Sequence, residues 1–174
     1  MRQVTPGKSA LLIEILKRTP SWVFVLFIVL LAVGYFQSRD RTVGRRVVAV
    51  LPVVMIALSF SGVLAAFGVA PLGLIGWVAG AAAAVWLGVK FIPARGVVFS
   101  AATRSFSVPG SWLPLALMMA IFFTKFAVGV IQARQLPVAG EPVFIGAVSL
   151  CYGIFGGVFG ARAVSILRSS QAAG

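Results

Sequence analysis

Five long apolar runs constrain the fold of this chain more than any other feature of its sequence. A helix needs about 20 mainly apolar residues to cross the hydrocarbon core of a bilayer. The runs are continuous rather than alternating, which favours helices over the strands of an outer-membrane barrel. The sequence therefore predicts an all-α integral membrane protein in a single membrane domain, residues 1–174, with five transmembrane helices at about 20–37, 47–67, 72–91, 112–133 and 143–167.

Composition supports membrane residence and argues against nucleic-acid binding. Hydrophobic residues make up 60% of the chain and charged residues 10%, whereas soluble globular domains are about 25% charged. The net charge of +12 comes from basic residues that lie mainly at the ends of the apolar runs and form no single basic face. Their distribution predicts a multi-pass protein of the bacterial inner membrane, N-out and C-in. The expected partners are anionic membrane lipids and either further copies of the chain or another membrane protein.

Residue types needed for catalysis or cofactor binding are scarce. The chain has no histidine, one cysteine and three acids, and the acids Glu14, Asp40 and Glu141 all lie outside the apolar runs. The spans therefore lack the usual ligands of a metal site and a nucleophile paired with a base. We expect neither a metal nor a cofactor, and we expect the protein not to be an enzyme.

The N-terminal segment, residues 1–18, has its own pattern. Leu12, Ile15 and Leu16 share one face of a short helix over residues 9–18, and basic residues lie on both sides of it. This pattern predicts an interfacial helix on the membrane surface, and an extension of the first span is the alternative.

Residues 93–110 have strand character between the third and fourth spans. Pairing residues 97–100 with residues 105–108 would set Phe99 opposite Phe106 on one apolar face. An isolated hairpin is marginal in water, so we expect this face to lie on the bilayer surface or on the helix ends. A β-hairpin-like insertion is therefore predicted, and an irregular loop is the alternative.

Small residues recur along two of the predicted helices. In span three they recur every four residues, and in span five two pairs with a spacing of four overlap. Such spacing lines one face of a helix with small side chains and allows another backbone to approach closely. For span five, packing within the chain and dimerisation are both open. The predicted packing residues are Gly76, Gly80, Gly88, Gly153, Gly156, Gly157 and Gly160.

Lys125 lies deep inside the fourth apolar run. At 1.5 Å of rise per residue it sits about 4–5 Å past the centre of its span and about 10 Å from the nearer interface. A lysine side chain reaches an interface at that distance only with strain, so its expected partners lie inside the protein. We predict a polar layer that binds an anion or a lipid head group. Its residues are Lys125, Thr124, Ser59, Ser61, Ser149 and Tyr152.

Two alternatives without a ligand compete with this prediction. In one, the Lys125 ammonium only forms hydrogen bonds with these neutral groups; in the other, burial keeps the amine neutral. Arg162 differs from Lys125, because it lies close enough to the end of span five for its side chain to reach the cytoplasmic interface.

Four short patterns stand out in the sequence: R-T-P-S-W-V-F-V-L at 18–26, G-Y-F-Q-S-R at 34–39, V-P-G-S-W-L-P-L at 108–115 and F-F-T-K-F at 122–126. Together they resemble a small bacterial family of multi-span inner-membrane proteins of unknown function. The resemblance covers most of the chain and implies a multi-span protein with a hairpin-like insertion before the fourth span. It implies no activity.

These features predict a non-catalytic polytopic membrane protein. Its expected role is that of an accessory or assembly subunit, or of a lipid- or anion-binding module centred on Lys125. The alternative is a small transporter or channel for an anionic solute. The apolar spans give that alternative few polar residues and no titratable carboxylate.

Overall fold

The chain is mainly helical within residues 20–91, 97–100 and 105–169, which are the residues that the computed structural model describes. The predicted interfacial helix at 9–18 lies outside these residues. In chain order the elements are α1 (Ser21–Gln37), β1 (Arg41–Gly44), α2 (Arg45–Phe67), α3 (Pro71–Phe91), β2 (Val98–Ser100), β3 (Ser105–Val108), α4 (Leu113–Ala133), a 3-10 helix (Pro137–Gly140) and α5 (Pro142–Ser169).

Four of these helices, α2 to α5, are long and apolar enough to cross a membrane. The apolar part of α1, Val23–Gln37, is shorter. Helices α3 and α5 begin at a proline, and α4 has Pro114 in its first turn. Proline fits these positions because its missing N–H would have no partner within the helix. The helical architecture agrees with the predicted all-α class. The first helix begins at Ser21, one residue after the predicted start of the first span, and Pro20 precedes it.

The glycine faces of α3 and α5 pack against each other. A side chain at Gly80 would overlap the carbonyl oxygen of Leu150, and one at Gly153 would overlap the carbonyl oxygen of Trp77. Two helix backbones approach this closely only where no Cβ lies between them. The same interface also contains Gly76, Gly88 and Gly157.

Helix α5 presents further glycines to α2. A Cβ on Gly156 would lie 3.3 Å from Ser59 Oγ, and one on Gly160 would lie 3.6 Å from Ile56 Cδ1. The predicted packing glycines of α3 and α5 are thus covered by helices of the same chain. Span five therefore uses its glycines for packing within the chain, which is one of its two alternatives.

A three-stranded antiparallel sheet lies at one end of the helices, with strand order β1-β3-β2. Strands β2 and β3 form the hairpin-like insertion, and Phe99 pairs with Phe106 as predicted. The alternative of an irregular loop is therefore wrong. The sequence did not predict β1, whose Val43 also lies opposite Phe106. Its four residues are too few to show an alternation, so their pairing with a distant strand is what makes them a strand.

The apolar face of the sheet lies on the helix ends. Phe106 is fully buried and Val108 is nearly so, and both pack with Val48 and Ile166. Val48 belongs to the first turn of α2 and Ile166 to the end of α5. The helix ends supply the cover that a small sheet needs, which is one of the two positions expected from the sequence.

Helices α1 and α4 form a second group beside α2, α3 and α5. Gly34 lies so close to Leu115 that a Cβ there would overlap the leucine side chain. The ring centroids of Phe27 and Phe122 lie 5.2 Å apart. The two groups of helices share one apolar core, formed by Leu30, Met55, Val63, Met118, Ile121, Tyr152 and Phe159.

Candidate functional site

Lys125 lies in the second half of α4 and meets α2. Its Nζ donates to Ser61 Oγ at 3.2 Å and to the carbonyl oxygen of Leu58 at 3.4 Å. The Ser61 hydroxyl donates to the same carbonyl oxygen at 2.8 Å. Ser61 is exposed and Lys125 is partly buried, so the cluster lies at the surface between the two helices. We call this cluster of Leu58, Ser61 and Lys125 the lysine groove.

The predicted polar layer does not form one cluster. Ser59 donates to the carbonyl oxygen of Tyr152 and accepts a hydrogen bond from Trp77 Nε1 at 3.0 Å. Ser59 and Tyr152 are buried inside the bundle. Ser59 and Ser61 are two residues apart, so they point in directions about 200° apart around α2. Only one of the two serines can therefore face Lys125.

Thr124 and Ser149 also lie apart from the lysine groove. Thr124 Oγ1 donates to the carbonyl oxygen of Ala120 at 2.7 Å, one turn earlier in α4. Ser149 is fully buried next to Gly73, and its Oγ has no hydrogen-bond partner. The hydroxyls of Ser59 and Thr124 therefore bond to other groups, and the binding of a ligand by this layer stays a prediction. Of the predicted partners, Ser61 is the one whose side chain bonds to the ammonium.

A second polar site lies where α1, β1, α2 and α5 meet. Gln37, Arg41 and Arg162 line a pocket of about 300 Å³ whose other walls are apolar. Arg41 Nη2 donates to Gln37 Oε1 at 3.2 Å. Arg162 Nη1 donates to Ser111 Oγ at 3.2 Å. We call this site the arginine pocket, after Arg41 and Arg162.

The segment before α4 fixes the chain beside the arginine pocket. The Gly110 N–H donates to Asp40 Oδ1 at 2.7 Å, and the Ser111 N–H donates to the carbonyl oxygen of Gln37 at 3.0 Å. A side chain at Gly110 would overlap the carbonyl oxygen of Ser38, so the close approach requires glycine. The V-P-G-S-W and G-Y-F-Q-S-R segments thus meet at this pocket.

Sequence reasoning missed the arginine pocket because it assigned each arginine a role by itself. In the sequence, Arg41 is one of the basic residues at the ends of the apolar runs that indicate orientation, and the side chain of Arg162 is expected to reach the interface. The available signal was depth: Gln37 ends α1, and Arg162 lies near the same end of α5. Which helices neighbour each other at that end follows only from the fold.

The described residues define a helical protein with four helices long and apolar enough to cross a membrane, a small sheet and two polar sites. The sequence model of a family described as "Family of unknown function (DUF6622)" matches residues 3–173, so the chain belongs to this family. Comparison with curated proteins and with solved structures gave no match. The expected membership in a family of unknown function is confirmed, and the family description assigns no activity.

Proposed function

We propose that this protein resides in the bacterial inner membrane, N-out and C-in, and acts without catalysis as an assembly subunit. In this role the lysine groove binds a transmembrane helix of another protein through an acidic residue of that helix. The observation that carries the proposal is the position of Lys125, a cation about halfway along an apolar helix. Its hydrogen-bond partners among the described residues are neutral oxygens.

The depth of Lys125 makes an uncompensated charge costly. A lysine at the centre of a transmembrane helix costs about 2.5–3.5 kcal/mol on insertion scales, and such residues usually pair with another group. The acids among the described residues are Asp40 and Glu141, and both lie outside the helices that could cross a membrane. An acid that pairs with Lys125 at this depth would therefore come from another molecule. A second copy of the chain brings no acid at that depth, because Glu14 also lies outside the apolar runs.

The surface around Lys125 suits a partner helix. Leu64, three residues after Ser61 in α2, is 38% exposed, so a large apolar side chain lies on the groove side of that helix. A Cβ on Gly129, one turn after Lys125, would have no atom of the chain within 4 Å. A glycine at an open position lets another helix backbone approach closely. Apolar contact and a central ion pair would together fix the partner's depth and rotation.

Copurification from native membranes tests this proposal. We expect wild-type protein to retain a stoichiometric membrane partner that Lys125→Met loses. Arg134→Met is the matched control, because it removes one positive charge from an exposed position at the end of the same helix. A partner aspartate or glutamate whose neutralisation also abolishes the complex would identify the ion pair.

Three results would contradict the proposal. A partner retained equally by Lys125→Met would exclude the groove as the contact. Loss from both variants would indicate a general effect of positive charge. Anion-dependent flux in liposomes that disappears in Lys125→Met would instead favour the transport of an anionic solute.

A further inference from the structure

The arginine pocket contains donors that no acceptor of the described chain satisfies. Gln37 is 6% exposed, and its Nε2 is buried without a hydrogen-bond partner. Arg41 Nη1 is also buried and without a partner. Unpaired buried donors are rare in folded proteins, because each one loses its bonds to water without replacement. Both nitrogens belong to residues that line one cavity, and this placement favours an acceptor from outside the described chain.

The charge of the pocket indicates an anion. Arg41 and Arg162 both line it, and its lining contains no acid. Asp40 is the nearest acid in the sequence, and its carboxylate accepts the Gly110 N–H. Burial, together with the positive charge of Arg162, lowers the pKa of the Arg41 guanidinium below its usual range. The protein thus holds two like charges near each other, an arrangement that a bound anion would relieve.

Apolar residues line the pocket on the side of the arginines that lies deeper in the helices. Gln37 is the last residue of α1, whereas Val33 lies one turn deeper in the same helix. In α5, Phe159 lies about one turn deeper than Arg162. Leu51 of α2 continues the apolar wall on the deeper side. Apolar walls therefore extend from the arginines toward the helix centres, and Val43, Val108 and Ile166 add apolar lining at the sheet.

The pocket opens sideways between α1 and α2. Phe36 and Val47 line it and are also 69% and 58% exposed on the outer surface of the molecule. A membrane would place acyl chains against that surface. An amphiphile could thus enter from the bilayer with its polar end at the arginines and its chain along the apolar wall.

We propose that the arginine pocket binds the phosphate of an anionic membrane lipid, with part of an acyl chain against Val33, Leu51 and Phe159. Arginine suits a phosphate because its planar guanidinium donates two parallel hydrogen bonds. The Gln37 amide supplies a further donor. This inference shares with the proposed function only the membrane residence, because its residues are distinct from those of the lysine groove.

Lipid binding to the purified full-length chain tests the inference. Protein in a zwitterionic detergent is titrated with phosphatidylglycerol, phosphatidylcholine or inorganic phosphate, and native mass spectrometry counts the bound lipid while thermal unfolding measures stabilisation. We expect phosphatidylglycerol to bind about tenfold more tightly than phosphatidylcholine, whose choline places a positive charge near the arginines. Inorganic phosphate should stabilise the protein much less, because it lacks the acyl chain.

Variants decide whether the pocket is responsible. Arg162→Met should lose the preference for phosphatidylglycerol, and Arg168→Met, an exposed arginine on the same helix, should keep it. If Arg162→Met fails to fold, the same lipid preference can be measured in Arg41→Met, which removes the other arginine of the pocket from strand β1. Copurification of a protein partner through Lys125 should be unchanged in these variants, so this inference can fail while the proposed function holds.

Three outcomes would overturn the inference. Equal loss in Arg162→Met and Arg168→Met would mean that general surface charge attracts the lipid. Equal binding of the two lipids would exclude recognition of an anionic head group. Stabilisation by inorganic phosphate as large as that by phosphatidylglycerol would show a site for free phosphate rather than for a lipid.

Discussion

The α3–α5 interface and the junction around the arginine pocket pack helices in opposite ways. At the α3–α5 interface, Gly80 and Gly153 bring backbone against backbone with no room for a Cβ. At the junction, a cavity of about 300 Å³ is lined by residues of α1, α2 and α5. The two regions share α5, which contributes its glycines to one and Arg162 to the other.

The comparison suggests that the close α3–α5 interface serves stability and that the junction with the cavity serves binding. Close backbone contact fixes two helices but leaves no volume for a ligand. The looser junction has room for polar side chains, and the sheet and the segment before α4 hold those side chains in place. We therefore expect substitutions in the first region to change stability and substitutions in the second to change binding.

A side chain at Gly153 should have the largest effect on stability. In Gly153→Val the new Cβ would overlap the Trp77 carbonyl oxygen and lie 2.8 Å from Ala81 N, so the helices must separate. We expect the free energy of unfolding in detergent to fall by about 3 kcal/mol. Gly146→Val on the same helix is the control, because an added Cβ there would have no neighbouring atom within 4 Å. It should change the free energy of unfolding by less than about 1 kcal/mol. Similar losses in both would show that helix propensity, not close packing, matters here.

Ser59→Ala should have the next largest effect. It removes the acceptor of Trp77 Nε1 and the donor to the Tyr152 carbonyl oxygen, both inside the bundle. An unpaired buried donor costs about 1–3 kcal/mol, so we expect a loss of about 2 kcal/mol in chemical unfolding. Ser61→Ala is the matched variant at an exposed position of the same helix and should cost about 0.5 kcal/mol. Equal costs would mean that the two serines occupy similar environments.

Lys125→Met should act in the opposite direction. It replaces a cation near the middle of α4 with an apolar side chain of similar length. Leu58 and Ser61 each lose one hydrogen bond from Lys125 but keep the bond between the Ser61 hydroxyl and the Leu58 carbonyl oxygen. We expect the isolated protein to gain about 1 kcal/mol. Arg134→Met, at an exposed helix end, should leave stability unchanged. A clear loss of stability in Lys125→Met would show that the groove is a structural element rather than a site for a partner.

Arg41→Met should have the smallest effect on stability and a clear effect on binding. The pKa of Arg41 is lowered in the folded protein by burial and by the charge of Arg162, so its cationic form is less favourable folded than unfolded. That cost is present at every pH below the folded pKa, which includes neutral pH.

Removal of this charge should therefore raise the stability of the lipid-free protein by less than about 1 kcal/mol, because solvent screens a partly exposed group. The same variant should lose the stabilisation by phosphatidylglycerol. Thermal unfolding with and without the lipid measures both, with Arg46→Met, an exposed arginine of α2, as the control. Lower stability without lipid would contradict this account of Arg41.

Several parts of the fold are readable from the sequence because they depend on local patterns. Apolar length predicts the helices, and alternation predicts the pairing of Phe99 with Phe106. The strand β1 was missed because four residues carry no reliable pattern and pair with a segment far away in the chain.

Local patterns do not predict which side chains meet in the candidate sites. The depth of Lys125 follows from counting residues along a helix, but its partner depends on how α2 and α4 are rotated about their axes. Helical geometry already separates Ser59 from Ser61, and the fold decides that Ser61 is the one that meets the lysine.

The sequence by itself determined the apolar helices, the faces of α3 and α5 that are lined with small residues, and the depth of each charge. These features depend on residue order along single elements. The tertiary structure alone decided that α5 covers the glycines of α3 and that Arg41 and Arg162 share a pocket. The physical reason is that side-chain contacts between helices depend on neighbour choice and axial rotation, which the packing of the whole molecule sets.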